Sequence, residues 1–392
     1  MAKESQSDDL TGFVLEHGGL INRIAGRMGL LSPPVIRRVW RLLALILLTW
    51  LPLVLLAWQA GHLTGNAVRI PIWRDAEVHG RFLLALPLLD LAEVFLVLGL
   101  GVQVQQFLQA GIISKQNRDR FDQIRFRIQD YHDSTGAELV YFLISMATSI
   151  VAHLYVPTSE PTDWGRHLSG ITPAGWWHML VSLPILYFFL LRALSLLLLW
   201  GCFLFRVSRL ELELTPTHPD HAGGLGFLGW GVASFAPMVV AITIMVSVGF
   251  ANEIYHRGES LNTLKYHLMI YVLLIATVFH LPVFSFAFTL SRCRFQGLLD
   301  FGELVASHDR AFDEKWIQQL GRNRESILGS ADTQSLAAIS QAYGHIEEMS
   351  LIPFDRTALV LIVLAAIVPL LPLIGTEIPL PDVMSKLAEF LI

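Results

Sequence analysis

Seven long apolar segments constrain this chain more than any other feature of its sequence. A helix needs about 20 predominantly apolar residues to cross a bilayer, with a usual range of about 17–25. Only 16% of the 392 residues are charged and 53% are hydrophobic, whereas a soluble domain carries roughly 25% charged residues. The sequence therefore predicts an all-α polytopic membrane helix bundle of seven transmembrane helices, at Val39–Trp58, Phe82–Val104, Leu139–Val156, Trp177–Phe205, Phe227–Phe250, Leu268–Leu290 and Ala358–Ile374.

The distribution of Lys and Arg predicts how the bundle is oriented. Loops on the cytosolic side of a membrane carry an excess of these two residues. Twenty of the 28 fall at Arg41 or in four segments predicted to be cytosolic, which are 1–38, 105–137, 206–226 and 291–356. We therefore expect the N-terminus to be cytosolic and the C-terminus to lie outside.

The predicted spans divide the chain into four parts. Residues 1–38 form a cytosolic N-terminal segment, and residues 39–290 hold six transmembrane helices with an amphipathic cytosolic loop at 105–137. Residues 291–356 form a cytosolic helical segment. Residues 357–392 hold the seventh transmembrane helix and an amphipathic C-terminal tail.

A small cytosolic helical layer is predicted from the long polar segments. In the loop at 105–137, Phe121, Ile124 and Ile128 recur at helical spacing and share one face. Residues 298–349 contain the helix-like stretches FDEKWIQQL and TQSLAAISQAYGHIEEM, with glycines between them at 321 and 329. The alternative interpretation is a set of linkers that lie on the surface of the protein.

Three ionisable residues lie where the bilayer is predicted. Asp90 and Glu93 are three residues apart in the second span, so their carboxylates share one helix face. Arg192 lies near the middle of the fourth span, and because an unpaired buried guanidinium is costly we expect it to meet Asp90 or Glu93. These groups form either an ion path or a structural ion pair. One arginine facing two acids leaves a surplus carboxylate, which favours a site that titrates or binds a cation.

Two histidines and five prolines in the spans extend the candidate ion path. His153 lies near the outer end of the third span and His280 lies within the sixth. A histidine can relay protons or bind a metal, although a lone histidine in a span more often hydrogen-bonds a neighbouring helix. Kinks that free carbonyl groups to line a cavity are expected at prolines, here Pro87, Pro184, Pro237, Pro282 and Pro369.

The most distinctive string in the sequence is LTPTHPDHAGGLGFLGWG at 214–231. Residues that precede proline avoid the helical region, so this loop is predicted to be extended before the fifth span. Asp220 is well placed to cap the helix that follows. The glycines remove side chains from one helix and allow a neighbouring helix to approach closely.

A functional interpretation of the same loop makes His218, Asp220 and His221 metal ligands or an acid–base group that faces a lipid. Three candidate ligands within four residues rarely close a tetrahedral site alone. A fourth ligand would come from elsewhere in the cytosolic layer, with His308 and His345 as candidates. A transition metal is the one cofactor that the sequence suggests.

The strings PTHPDHAGGLGFL, ALPLLDLAE and PFDRTALV, with the ending PLLPLIGTEIPL, resemble a group of uncharacterised bacterial polytopic membrane proteins. The resemblance extends over most of the chain. It implies a location in the bacterial inner membrane. It implies no activity and assigns no catalytic residue.

Several function classes lack their sequence signatures. The chain has no GxxxxGK[ST] phosphate loop, no HExxH, no GxSxG, no GxGxxG after a strand and no TVGYG-like filter. ATP-driven transport by this chain alone and recognisable hydrolase chemistry are therefore not expected. The net charge of −5 carries no signature of nucleic-acid binding.

Three functional hypotheses are compatible with the sequence. The first is an ion channel or secondary transporter, expected to be a homo-oligomer, that uses Asp90, Glu93 and Arg192. Its topology resembles that of seven-span ligand-gated channels of the insect chemoreceptor type, which is evidence of topology alone. The second is a scaffold or sensor subunit that docks a cytosolic protein through its cytosolic helices. The third is a membrane enzyme that acts on lipid through residues 218–221.

Overall fold

The computed structural model describes residues 34–64, 68–155, 163–167, 170–318 and 330–376. Within these residues, seven helices are long and apolar enough to cross a membrane. The prediction of an all-α polytopic bundle is therefore confirmed, and each predicted window overlaps one observed span. The spans are Arg38–Gln59, Ala76–Gln109, Thr135–His153, Pro173–Val207, Gly226–Arg257, Leu261–Ile317 and Arg356–Gly375. The N-terminal segment before residue 34 and the amphipathic tail after residue 376 lie outside the described residues.

The spans are built from α-helices joined by short stretches of other helix types. The α-helices are α1 (Pro34–Thr49), α2 (Leu51–Gln59), α3 (Ala76–His79), α4 (Leu86–Gln109), α5 (Arg118–His132), α6 (Thr135–Tyr155), α7 (Pro173–Trp177), α8 (Leu183–Val207), α9 (Gly226–Gly231), α10 (Ala236–Arg257), α11 (Leu261–His280), α12 (Ala287–Phe312), α13 (Ala331–Glu347) and α14 (Arg356–Ile367). A two-residue antiparallel pair, β1 (Arg166–His167) and β2 (Gly170–Ile171), precedes α7.

Each of the five prolines in the spans lies at a change of helix type. Proline has no N–H to donate to the carbonyl four residues earlier, and its ring crowds that carbonyl. Pro87 and Pro184 follow the π-helical stretches Gly80–Ala85 and His178–Ser182. Pro237, Pro282 and Pro369 adjoin or lie in 3-10 stretches, which are Val232–Phe235, Leu281–Phe286 and Val368–Thr376.

Large apolar side chains on the outside of the bundle identify the surface that contacts lipid. Leu198, Leu273 and Phe288 are 70%, 68% and 75% exposed, and many other large apolar residues on the spans are exposed as well. Contiguous exposed apolar surface on this scale is unusual for a soluble protein. Lipid therefore covers much of this surface.

Four of the described spans are longer than a bilayer requires. The second, fourth, fifth and sixth have 34, 35, 32 and 57 residues, so even the fifth is about 48 Å long at 1.5 Å per residue, against a hydrocarbon core of ~30 Å. Helix α5 packs against α8. The side chain of Phe121 is fully buried there, and Ile124 and Ile128 pack against the core. The predicted amphipathic face of this loop is confirmed.

The sixth span continues without a break into the segment predicted to be cytosolic. We expected the helix-like stretch FDEKWIQQL to extend a span, and α12 with a π-helical stretch does run through Ile317 as an extension of the sixth span. Helix α13 then packs alongside α12. Gly297 permits this packing, since a Cβ there would lie 2.7 Å from Pro216 and 3.2 Å from Ile346. The glycines at 321 and 329 lie outside the described residues.

A close contact between α4 and α9 depends on Gly231. The side chain of Gln103 is almost fully buried against this glycine, and a Cβ at residue 231 would lie 2.1 Å from the Gln103 Cδ atom. The Gln103 amide has no room to move aside because its surroundings are closely packed.

Replacing this glycine tests the packing of α4 on α9. We expect Gly231→Ala to lower the free energy of unfolding by about 1–3 kcal/mol, because overpacking a closely packed site strains it. Thermal unfolding of the purified protein in detergent measures this loss. The matched control is Gly344→Ala, because a Cβ at Gly344 in α13 meets nothing within 4 Å and alanine favours a helix by up to about 1 kcal/mol. Equal melting temperatures for the two variants would contradict the contact.

Candidate functional site: a buried charge layer

Five ionisable side chains from four helices meet inside the bundle, and we call them the charge layer. They are Arg41 of α1, Asp90 and Glu93 of α4, Glu138 of α6 and Arg192 of α8. Asp90 and Glu93 lie on one face of α4 because they are three residues apart. The charge layer therefore ties together helices that are far apart in the sequence.

Arg192 is shared by two carboxylates. Its Nε atom donates to both oxygens of Glu93 at 2.9 Å, and its Nη2 atom lies 2.8 Å from Glu93 Oε1. Its Nη1 atom donates to Oε1 of Glu138. We expected Arg192 to meet Asp90 or Glu93, and in the structure it pairs with Glu93.

Asp90 is bound by a different arginine. The Nη2 atom of Arg41 donates to Asp90 Oδ1, and the Arg41 guanidinium lies 5.8 Å from the centre of the Phe189 ring. Sequence analysis counted Arg41 as a basic residue at a membrane junction, and it did not single out Glu138. Both residues could have been found from their position in the sequence, since Arg41 lies within the first apolar window and Glu138 lies beside the start of the third.

Three carboxylates face two guanidiniums in the charge layer. The side chains of Asp90 and Glu138 are 1% and 7% exposed, and those of Glu93 and Arg192 are 12% and 13% exposed. Burying such groups is tolerated only where each meets an opposite charge with good geometry. With every group ionised, these five residues carry a net charge of one negative. The surplus that we predicted for Asp90, Glu93 and Arg192 is balanced by Arg41, and Glu138 is the additional carboxylate.

A cavity of about 60 Å³ lies beside the charge layer, between α4, α5 and α8. Its walls are mostly apolar, and its polar lining residues are Arg125, Gln129 and His132. Several of the apolar lining residues continue the helix faces of Glu93 and Arg192 at spacings of three and four, namely Val97, Leu100 and Val104 on α4, and Leu196, Leu199 and Phe203 on α8. The cavity therefore lies on the faces of α4 and α8 that carry Glu93 and Arg192.

His132 lines the same cavity. Its side chain is 10% exposed, and its Nδ1 atom lies 3.2 Å from Asp133 Oδ1. The buried Nε2 atom has no hydrogen-bond partner within the described ranges. His132 interacts electrostatically with Glu93, so it is a titratable group between the cavity and the layer. Sequence analysis did not single out His132, because this residue lies at the end of an amphipathic helix and belongs to no recognisable motif.

The two other histidines of the predicted ion path lie elsewhere. His153 is 15 residues beyond Glu138 on α6, about 22 Å away along the helix, and its ring lies 5.3 Å from that of His178. The Nδ1 atom of His280 is 2.8 Å from the Ala276 carbonyl oxygen. Neither contact is the expected hydrogen bond to a neighbouring helix, since His153 meets a ring and Ala276 lies on the same helix as His280.

Asp220 organises the loop that precedes the fifth span. Its carboxylate accepts hydrogen bonds from three backbone N–H groups, those of Ala222 (2.9 Å), Gly224 (3.1 Å) and Gly226 (2.8 Å). Burial acts to raise the pKa of Asp220, but these hydrogen bonds and the one to His218 outweigh it and lower the pKa below its ordinary value. The N-cap residue of α9 is Leu225 and not Asp220 as expected, but Asp220 still binds the N–H of Gly226, the first residue of α9. These hydrogen bonds occupy the carboxylate that the metal interpretation needs.

His221 meets a histidine from a distant part of the chain. Its ring lies 5.2 Å from that of His345 in α13, and its φ of 52° places it in the left-handed region. His308 instead interacts with Asp332. Among the residues that the structure describes, no group of three or more His, Cys, Asp or Glu side chains is arranged to hold a metal ion. Metal binding by His218, Asp220 and His221 stays a prediction.

The chain matches no protein-family model, no curated protein and no solved structure. Function must therefore be argued from the geometry of the charge layer and its surroundings.

Removing the shared arginine tests whether the charge layer holds the bundle together. We expect Arg192→Met to lower the free energy of unfolding by about 3–5 kcal/mol, because it leaves two buried carboxylates without a counter-charge. Adding Glu93→Gln and Glu138→Gln to that variant should recover most of the loss. Thermal unfolding in detergent measures both effects. A triple variant no more stable than Arg192→Met would show that the carboxylates are not what the arginine stabilises.

Proposed function

We propose that this integral membrane protein is an ion channel or secondary transporter whose ions or protons pass the charge layer. The observation that carries the proposal is the sharing of one guanidinium, that of Arg192, by the carboxylates of Glu93 and Glu138. Two acids on one base leave a negative charge that a proton or a metal cation can balance. Intramembrane ionisable groups that face a bundle interior commonly mark such pathways.

The cavity beside the charge layer supports the proposal. It lies on the faces of α4 and α8 that carry Glu93 and Arg192, and His132 lies in its wall. A histidine ring can relay protons, and His132 interacts electrostatically with Glu93, so we infer that protons pass between the cavity and Glu93 through this ring. We place the protein in the bacterial inner membrane, with the N-terminus in the cytosol, so that this cavity faces the cytosol.

A second candidate function is a scaffold or sensor subunit that binds a cytosolic protein. It is favoured by exposed apolar side chains on the extended helix α12, since Phe295 and Leu299 are 63% and 58% exposed. The same surface suits contact with lipid or with another copy of the chain in a homo-oligomer. The enzyme hypothesis loses support because backbone N–H groups occupy Asp220.

Ion flux in liposomes tests the proposal. We expect purified wild-type protein to carry a cation or proton current, and Glu93→Gln or Glu138→Gln to reduce it about tenfold or more, equivalent to ~1.4 kcal/mol in the barrier. Gradients of H⁺, Na⁺ and K⁺ identify the ion.

Glu253→Gln is the matched control, because Glu253 is exposed and pairs with Arg257 on its own helix α10. Its flux should equal that of the wild type. Normal flux in folded Glu93→Gln and Glu138→Gln would make the charge layer purely structural. Absence of flux from well-folded wild-type protein would favour the scaffold or sensor function.

A further inference from the structure

A second and larger cavity lies outside the charge layer, on the predicted cytosolic side. Its volume is about 620 Å³. One wall is the segment 208–216 that follows α8, and the other is the stretch 285–301, most of it α12. We call this cavity the α8–α12 groove. It is not used by the proposed transport function.

One arginine lies on each wall of the groove, Arg209 on the segment 208–216 and Arg292 on α12. The Thr289 hydroxyl donates to the Ser208 carbonyl oxygen at 3.1 Å, which joins the two walls. Arg209 follows Ser208 directly, and Arg292 lies one helical turn beyond Thr289. Both arginines are exposed.

Among the residues described, no carboxylate forms an ion pair with either guanidinium. The Arg209 guanidinium lies 4.9 Å from the centre of the Phe205 ring. Two guanidiniums on opposite walls that pair with none of the described carboxylates are suited to a phosphate, which arginine binds with paired N–H donors.

Two acidic residues also line the groove, Asp300 on α12 and Glu211 two residues from Arg209 on the other wall. Asp300 is eight residues beyond Arg292 on α12, about 12 Å away along the helix. Glu211 is the second acid of the lining. With two arginines and two acids, the lining is formally neutral, and its charge complement is a zwitterion that carries a phosphate and an ammonium group.

The other end of the groove meets the lipid-facing surface. Phe288 lines the groove and is 75% exposed. Leu281 and Phe284, which precede it in the same span, are 62% and 49% exposed. Apolar surface for acyl chains therefore continues directly into the charged part of the groove.

We propose that the α8–α12 groove binds an aminophospholipid from the surrounding bilayer. The phosphate lies between Arg209 and Arg292, the headgroup ammonium points toward Glu211 and Asp300, and the acyl chains run along Phe288. Basic pockets between transmembrane helices on the cytoplasmic side are a recurrent means of holding lipid headgroups.

Lipid titration of the full-length protein in detergent tests the proposal. Native mass spectrometry counts bound dioctanoyl-phosphatidylethanolamine, and we expect Arg209→Gln/Arg292→Gln to weaken its binding about tenfold or more, because charge-assisted hydrogen bonds are lost. The matched control is Arg118→Gln/Arg120→Gln, which removes two exposed arginines from α5 and should bind the lipid as the wild type does. Equal binding by the two double variants would overturn the proposal.

Two further ligands identify what the groove recognises. Dioctanoyl-phosphatidylglycerol has the phosphate without the ammonium, and phosphoethanolamine has the headgroup without the chains, so both should bind more weakly. Phosphatidylglycerol binding as tightly as phosphatidylethanolamine would refute a role for Glu211 and Asp300. Phosphoethanolamine binding as tightly as the lipid would refute a lipid site.

The native cysteines provide a local readout that does not depend on transport. Cys293 lines the groove, whereas Cys202 is exposed on α8 and is not among the lining residues. In Cys202→Ser protein, dioctanoyl-phosphatidylethanolamine should slow the reaction of Cys293 with a maleimide several-fold. In Cys293→Ser protein, the same lipid should leave the reaction of Cys202 unchanged. Equal effects of the lipid on both thiols would place the bound lipid elsewhere.

Discussion

The pairing of buried charges is the constraint on which the rest of this bundle depends. A charged side chain at membrane depth costs several kcal/mol unless it meets an opposite charge. Arg41, Asp90, Glu93, Glu138 and Arg192 meet this requirement only if α1, α4, α6 and α8 keep one relative height and rotation. Apolar packing alone does little to fix the relative height and rotation of helices in a membrane, because lipid tails are as apolar as the side chains that pack.

The same pairing connects the fold with the proposed function. The register that brings Glu93 to Arg192 also aligns the apolar faces of α4 and α8 that continue from these residues, and a cavity remains between them and α5. His132 lines that cavity because α5 packs against α8. The charge layer and the cavity therefore share the faces of α4 and α8 that carry Glu93 and Arg192. The α8–α12 groove is separate from it and faces the lipid.

The spans were predictable because length and apolarity alone define them, and all seven were found. Asp90, Glu93 and Arg192 could also be singled out, since charged residues within apolar windows stand out without any structure. How they pair could not be predicted, because a partner depends on helix rotation and height, which a single sequence does not encode locally. Arg41 and Glu138 were not recognised as partners for a related reason. Each lies close to the end of a predicted span, where charged residues are common and do not stand out.

Other parts of the site depend on contacts between distant segments. His221 and His345 are 124 residues apart in the chain and meet because α13 folds back along α12. The continuation of the sixth span through Ile317 agrees with the expectation that the helix-like polar stretches extend the spans. A change from apolar to polar residues marks where a helix leaves the bilayer, and it does not mark where the helix ends.

Whether water reaches the charge layer from the cytosol decides between a pathway and a dry structural core. Cysteine accessibility measures this directly in Cys202→Ser/Cys293→Ser protein, with a membrane-impermeant thiol reagent added to inside-out vesicles. The account predicts that Val97→Cys, one helical turn from Glu93 and on the cavity wall, reacts readily. Leu273→Cys, 68% exposed on the lipid-facing side of α11, should stay unreactive. A Val97→Cys protein that folds and resists the reagent would contradict a cytosolic path to Glu93.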